Sequence, residues 1–327
     1  MALTMKVMMV RLCDVGEKSV VGTLIGRIGP SGDIGLGDDA AAVRLGSRYL
    51  VASTDLVTRR THFPRPMTPF QMGWMAAAVN FSDIAAMGAL PLGLLVAMGL
   101  PREMELETVE GIADGIGACA EQVSADYLGG DTKEADDICL VGTSLGMVRT
   151  DGILLRSGAR PGDLLAVTGD LGLAGAGWAE IDEEGFHPLA RKALLEPFPR
   201  TKEGAILSAS GCVTSCMDTS DGLAMSVHEL ARRSGVGFKV DRGALPVHSD
   251  AIRIGERMGL DAMDWALHSG GDYQLLFTLI PEGEGRLRSM LGRSFTVIGE
   301  ATREGVLLED GKRSTFLEDK GFEHFRW

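Results

Sequence analysis

The chain has 327 residues, 45% of them hydrophobic, which is enough for two domains with sizeable cores. Acidic residues outnumber basic ones 45 to 32, a net charge of −13, and this argues against a broad nucleic-acid face, because phosphate backbones want a basic surface. The longest apolar stretch, residues 87–100, is too short to span a bilayer, so no membrane contact is expected.

The Met-rich start, residues 1–10, has one lysine and no small-residue cleavage site, which makes it a poor signal peptide. Residues 49–57 read as a strand running into the polar end Ser53-Thr54-Asp55. Residues 69–88 read as a long, mostly apolar helix that should be largely buried. A second helix is expected over 105–123, and a strand over 138–148. The turn-like stretch Arg149-Thr150-Asp151-Gly152 marks the expected boundary between domains 1–150 and 151–327. In the second half, strands are expected over 163–168, 212–217, 273–280 and 295–299, and helices over 173–181 and 224–233. The mix predicts α/β and α+β architecture. The five cysteines, Cys13, Cys119, Cys139, Cys212 and Cys216, form no CxxC pair. They read as small buried hydrophobes in a reducing compartment, so a cytoplasmic protein is expected.

Chemistry is concentrated in short acidic clusters at predicted strand ends or on the apolar helix. They are Asp38-Asp39, Ser53-Thr54-Asp55, Asn80-Phe81-Ser82-Asp83, Gly129-Gly130-Asp131-Thr132 and Asp218-Thr219-Ser220-Asp221. Asp83 is the sharpest case. A carboxylate on a helix apolar nearly all round costs several kcal/mol if buried unpaired, so it must face an arginine, a helix cap or a metal ion. Asp221 could equally cap a helix, and Asp38-Asp39 could form a turn. Aspartates beside Ser and Thr, with few His or Cys nearby, suit Mg²⁺ better than Zn²⁺. The chain lacks a GxxxxGK[ST] loop, protein-kinase signatures and a GxSxG elbow. A loose GxGxxA at 115–120 falls inside a helical pattern and reads as helix packing.

In order and spacing, these clusters resemble the thiamine-monophosphate kinase family, within the aminoimidazole ribonucleotide synthetase-like superfamily. The most specific pieces are Ser53-Thr54-Asp55 with His62 and Phe63, residues 79–89, Arg156-Ser157-Gly158-Ala159, and residues 218–223. The resemblance covers nearly the whole chain. It implies an N-terminal α/β domain that forms a barrel with a second subunit, and a C-terminal α+β domain that completes a cleft for ATP. It implies Mg²⁺ ligands at Asp39, Ser53, Thr54, Asp55, Asp83, Asp131, Asp218 and Asp221, with Asp55, Asp83, Asp131 and Asp221 carrying catalysis. Gly130, Asp131, Arg156 and Ser220 fall on nucleotide-binding positions, and His62 and Phe322 on positions that contact thiamine phosphate. Many members carry Gly-Gly-Glu-Asp-Tyr-Glu near the end. Here the run is Ser269-Gly270-Gly271-Asp272-Tyr273-Gln274, with Gly271 at the glutamate position, so either Asp272 takes over that contact or the contact is lost.

The implied reaction is direct in-line transfer of the ATP γ-phosphate to thiamine monophosphate by a homodimer, with several Mg²⁺ ions. A phosphate nucleophile is already ionised, so positioning and charge neutralisation should dominate. The alternatives are another ATP-dependent synthetase of the superfamily, or a non-catalytic Mg²⁺-nucleotide-binding regulatory subunit.

Overall fold

The computed structural model describes residues 10–29, 33–183 and 187–326; most of the Met-rich start lies outside them. After two helices, α1 (Leu12–Val15) and α2 (Glu17–Ile28), come β1 (Ala41–Leu45), β2 (Arg48–Thr58), α3 (Pro69–Ala86), β3 (Leu90–Leu100), α4 (Leu106–Gln122), β4 (Asp126–Glu134) and β5 (Cys139–Arg149). These strands form a sheet in the order β1-β2-β5-β3-β4. The second half contains β6 (Leu164–Thr168), α5 (Leu173–Ala179), α6 (Pro188–Leu195), α7 (Thr201–Ser210), β7 (Val213–Asp218), α8 (Leu223–Ser234), β8 (Gly237–Asp241), α9 (Ser249–Met258), α10 (Ala262–His268), β9 (Leu275–Leu279), α11 (Glu284–Leu291), β10 (Phe295–Thr302), β11 (Val306–Asp310) and β12 (Arg313–Phe316). Its sheet runs β12-β11-β8-β10-β6-β9-β7. Among the described residues, no helix is long and apolar enough to cross a membrane.

Helix α3 is the axle of the molecule. Thr68 accepts from the Gln71 N–H and Gln71 reaches back to the Thr68 N–H, a reciprocal cap, with Pro69 in the first turn. The helix packs on α4, on β2 and β5 of the first sheet, and on α7 and β7 of the second domain. Phe81 and Ile84 have no exposed surface. Each such side chain contributes roughly 1.5–3 kcal/mol through burial. The sequence reading of this helix as largely buried is borne out.

Two strands differ from expectation. Residues 90–100 fold as β3, although Pro91, Gly93 and Gly99 weaken any strand pattern there. Residues 126–134, around the Gly130-Asp131 pair that could equally have been a loop, fold as the edge strand β4. The glycines are required by a bulge: the β3–β4 register shifts between Leu94 and Leu95, and Gly129 sits at φ +119°. A Cβ on Gly130 would lie 1.8 Å from the Val96 carbonyl oxygen. Of the five cysteines expected to be buried, Cys119, Cys212 and Cys216 are, whereas Cys139 is half-buried and Cys13 is exposed.

The glycine pattern at 115–120 proves to be helix packing. A Cβ on Gly115 would meet the Phe70 carbonyl oxygen at 1.8 Å, and one on Gly73 would meet the Ile112 carbonyl oxygen at 1.9 Å. The two helices therefore touch backbone to backbone. Gly115→Ala should cost about 3 kcal/mol by forcing them apart. Thermal unfolding should then fall by several degrees, and an unchanged midpoint would contradict this packing.

Candidate active site

The element ends converge between the two domains. Carboxylate oxygens of Asp39, Asp83 and Asp218 all lie within 4.8 Å of one another. Asp39 comes from the turn before β1, Asp83 from the last turn of α3, and Asp218 from the end of β7. Each is held by donors. Arg156 clamps Asp39 with its Nη2 2.9 Å from Oδ1 and its Nε 3.1 Å from Oδ2, while the Arg156 backbone N–H donates to Asp38 at 2.6 Å. The Ser53 hydroxyl donates to Asp83. Ser82 donates to Asp218 at 2.6 Å and Ser220 to the same carboxylate at 2.9 Å. Asp55 hydrogen-bonds to Asp83, and its backbone N–H donates to the Asn80 side chain at 3.2 Å.

Burial is the main force on these groups. It pushes Asp83 well above the usual carboxylate range, reinforced by Asp55, Asp218 and Asp39. Burial and then Asp39 raise Asp218 to about 6, against the hydrogen bonds from Ser82 and Ser220. Burial, Asp218 and Glu17 raise Asp221 to about 7. Arg156 moves the other way from what its burial alone would do: Asp39 and the neighbouring carboxylates hold it firmly charged.

Not every expected ligand faces this cluster. Strand alternation turns Ser53 and Asp55 inward and Thr54 outward. The Thr54 hydroxyl donates to the Gly142 carbonyl at 2.9 Å and meets Thr143 on the uncovered face of the sheet. Asp131 is likewise on that face. Asp55, Gly142, Val96 and Gly130 form one cross-strand row, so β4 lies three strands from β2, roughly 14 Å at the usual strand spacing. Asp131 is fully exposed there and pairs with Lys133 at 3.3 Å. Asp221 is close but outside the three-carboxylate group, and its side chain does not cap α8, whose N-cap is Gly222. The expectation for Asp272 needs correction. Its carboxylate is buried against the start of α5, accepting from Gly172 N–H at 2.6 Å and Ala174 N–H at 3.1 Å, rather than facing a ligand cavity.

A cavity of about 410 Å³ adjoins the cluster. Its lining includes His62, His268, Phe322, Trp178, Met75, Tyr273 and Ser220 and, among the described residues, no Asp, Glu, Lys or Arg. Ser220 joins the two regions, since it lines the cavity and also donates to Asp218. His62 lies 5.8 Å from the His324 ring, and His324 packs edge-on to Phe322 at 4.8 Å. Burial, then His324, lowers His62 to about 4, so its ring is neutral near pH 7.

Two domain families match in tandem: AIR synthase related protein, N-terminal domain, over residues 37–148, and AIR synthase related protein, C-terminal domain, over 160–308. The chain is 37% identical to the thiamine-monophosphate kinase of Methanospirillum hungatei over 88% of this chain and 92% of that one. The chain belongs to the thiamine-monophosphate kinase family. The family's enzyme from Pyrococcus horikoshii is 35% identical over 89% of this chain and 91% of its own. A solved family structure, AaThiL complexed with AMPPCP and TMP, superposes with a TM-score of 0.87 at 30% identity, covering 97% of this chain and 99% of that one. The two-sheet, two-domain architecture is therefore that of thiamine-monophosphate kinases.

Several residues of this site were not singled out from the sequence. Ser82 holds Asp218, and Asn80 holds the Asp55 backbone; both were in view as neighbours of Asp83. Gly142 makes room for Asn80, since a Cβ there would lie 2.1 Å from Nδ2. Trp178 and Tyr273 line the cavity without any sequence signal beyond their size.

Raised carboxyl pKa values have a signed consequence. The folded state holds protons that the unfolded chain releases near 3.8, so without bound cations stability falls as pH rises from about 4 through about 7. Asp221→Asn should remove a contribution on the order of 4 kcal/mol from that fall. Thermal unfolding in chelator across this range measures it. A variant that loses stability with pH as steeply as the parent would refute the assignment.

Proposed function

We propose that this chain transfers the γ-phosphate of ATP to thiamine monophosphate, giving thiamine diphosphate and ADP, in thiamine diphosphate biosynthesis. The observation that carries the reading is an aromatic-lined cavity opening beside three clustered carboxylates, in a chain of this family. Such a cavity suits a flat aminopyrimidine and a thiazolium ring, whose charge aromatic faces attract. His62, kept neutral, and Phe322 are the proposed contacts to the ring system.

The cluster suits Mg²⁺. Asp39, Asp83 and Asp218 offer hard oxygen donors within 4.8 Å, with the Ser53 hydroxyl and Asp55 on Asp83. Bound there, Mg²⁺ would supply the positive charge that lets two polyphosphate groups approach. The acceptor's phosphate oxygen is the nucleophile and needs no general base. The chain's own task is placement: Ser220 spans from cavity to cluster, and Arg156 holds Asp39 in register while adding fixed positive charge. If this is right, ADP release by the full chain depends on thiamine monophosphate and stops with chelator, and mass spectrometry finds thiamine diphosphate. Asp83→Asn should lower turnover by at least about a hundredfold. ATP hydrolysis indifferent to thiamine monophosphate would overturn the reading.

We also infer a homodimer, and a cytoplasmic setting in keeping with five free cysteines. On the uncovered face of the first sheet, Val43 is 57%, Leu56 54% and Leu95 39% exposed. That apolar face suits a second copy of the chain. Asp131 and Thr54 share it, so a partner subunit would bring Asp131 to the other chain's nucleotide. Mixing inactive Asp83→Asn and Asp131→Asn chains, with subunit exchange, should restore about a quarter of parental activity, because half the dimers then carry one intact site. No recovery despite exchange would place Asp131 in its own chain's site.

A further inference from the structure

The loop 269–274 is fastened on both sides of one residue. Gly271 N–H donates to the Ser220 carbonyl at 2.9 Å, and the Asp272 carboxylate is locked by Gly172 and Ala174. On the far side, Gln274 N–H donates to the Thr219 hydroxyl at 3.1 Å, and Thr219 N–H returns to the Gln274 carbonyl at 2.8 Å. Between these anchors Tyr273 sits at φ +47°, the left-handed region that a bulky side chain avoids. Such a conformation persists only where the surroundings over-determine it, and it clusters at functional sites. The Tyr273 ring lines the cavity wall and packs against the core of the first domain. The phenol then lies within electrostatic reach of Asp218, Asp55, Asp221 and Asp83. Its ring lines the cavity, and its O–H has no hydrogen-bond partner among the described residues.

We propose that Tyr273 reads the acceptor's phosphate, donating its phenol O–H to a phosphate oxygen of the bound thiamine monophosphate and so favouring it over unphosphorylated thiamine. The inference rests on the function proposed above and adds a specificity-determining residue to it. Burial, and then the carboxylates, push the phenol well above its ordinary value, so it stays protonated and able to donate. A neutral donor is the suitable kind at this place. It can meet a phosphate without forming an ion pair with the nearby aspartates, which a lysine or arginine would do.

Tyr273→Phe removes only the hydroxyl and keeps the ring and the backbone. Calorimetric titration of the full chain with thiamine monophosphate, and separately with thiamine, tests the proposal without relying on turnover. Affinity for the monophosphate should fall about tenfold or more, as for a lost hydrogen bond to a charged group, while affinity for thiamine stays the same. Equal affinities in parent and variant for both ligands, or an equal loss for both, would overturn it, since a purely packing role predicts one of these. Phosphoryl transfer by the parent chain is measured alongside. If the parent does not phosphorylate thiamine monophosphate, the functional reading fails; if it does and the affinity ratio is unmoved in the variant, only the role of Tyr273 fails.

Discussion

Asp39, Asp83 and Asp218 are three carboxyl groups held with oxygens within 4.8 Å of one another, where little water screens charge. In such surroundings, bringing anions together is costly unless each has donors or a shared proton. Much of the fold answers that need. Arg156 takes Asp39, Ser82 and Ser220 take Asp218, and Ser53 and Asp55 take Asp83. The arrangement is tolerated because α3, buried on almost every side, fixes Asp83 against both domains at once. A site that repels itself when empty is poised to gain from a cation, and binding free energy adds directly to folding stability.

Much of this was legible in the sequence, and the reason is physical. Asp83 on an apolar helix demands a partner, and Asp218 at the end of a β-rich run announces a strand terminus. The same residues prove to carry the cluster. What was not legible came from pairing geometry. β4 looks like a loop because glycine and aspartate disfavour strands, yet Gly129 and Gly130 are there to accommodate a bulge and a close backbone approach. Thr54 could have been placed by alternation alone, since it must face away from Ser53 and Asp55. Asp131 could not, because its distance from Asp55 depends on strand order rather than spacing.

Asp272 and Tyr273 show how adjacent residues divide labour. The carboxylate that looked like a replacement ligand instead secures the first turn of α5. That anchor is what allows the next residue its left-handed backbone. Gly271 beside them lines the cavity while carrying no side chain, and its N–H holds the loop to the Ser220 carbonyl. Among the described residues the cavity's lining includes no Asp, Glu, Lys or Arg, and the faces of Trp178, Tyr273 and Phe322 contribute to its wall.

The site also draws its parts from the full span of the polypeptide, from Asp39 near one end to Phe322 near the other, whose N–H donates to the Asp221 carbonyl. During synthesis on a ribosome, the first domain emerges with Asp39, Asp55 and Asp83 but without Asp218 or the aromatic wall. The three-carboxylate centre therefore exists only once both domains have folded against each other, and unfolding either one dismantles it.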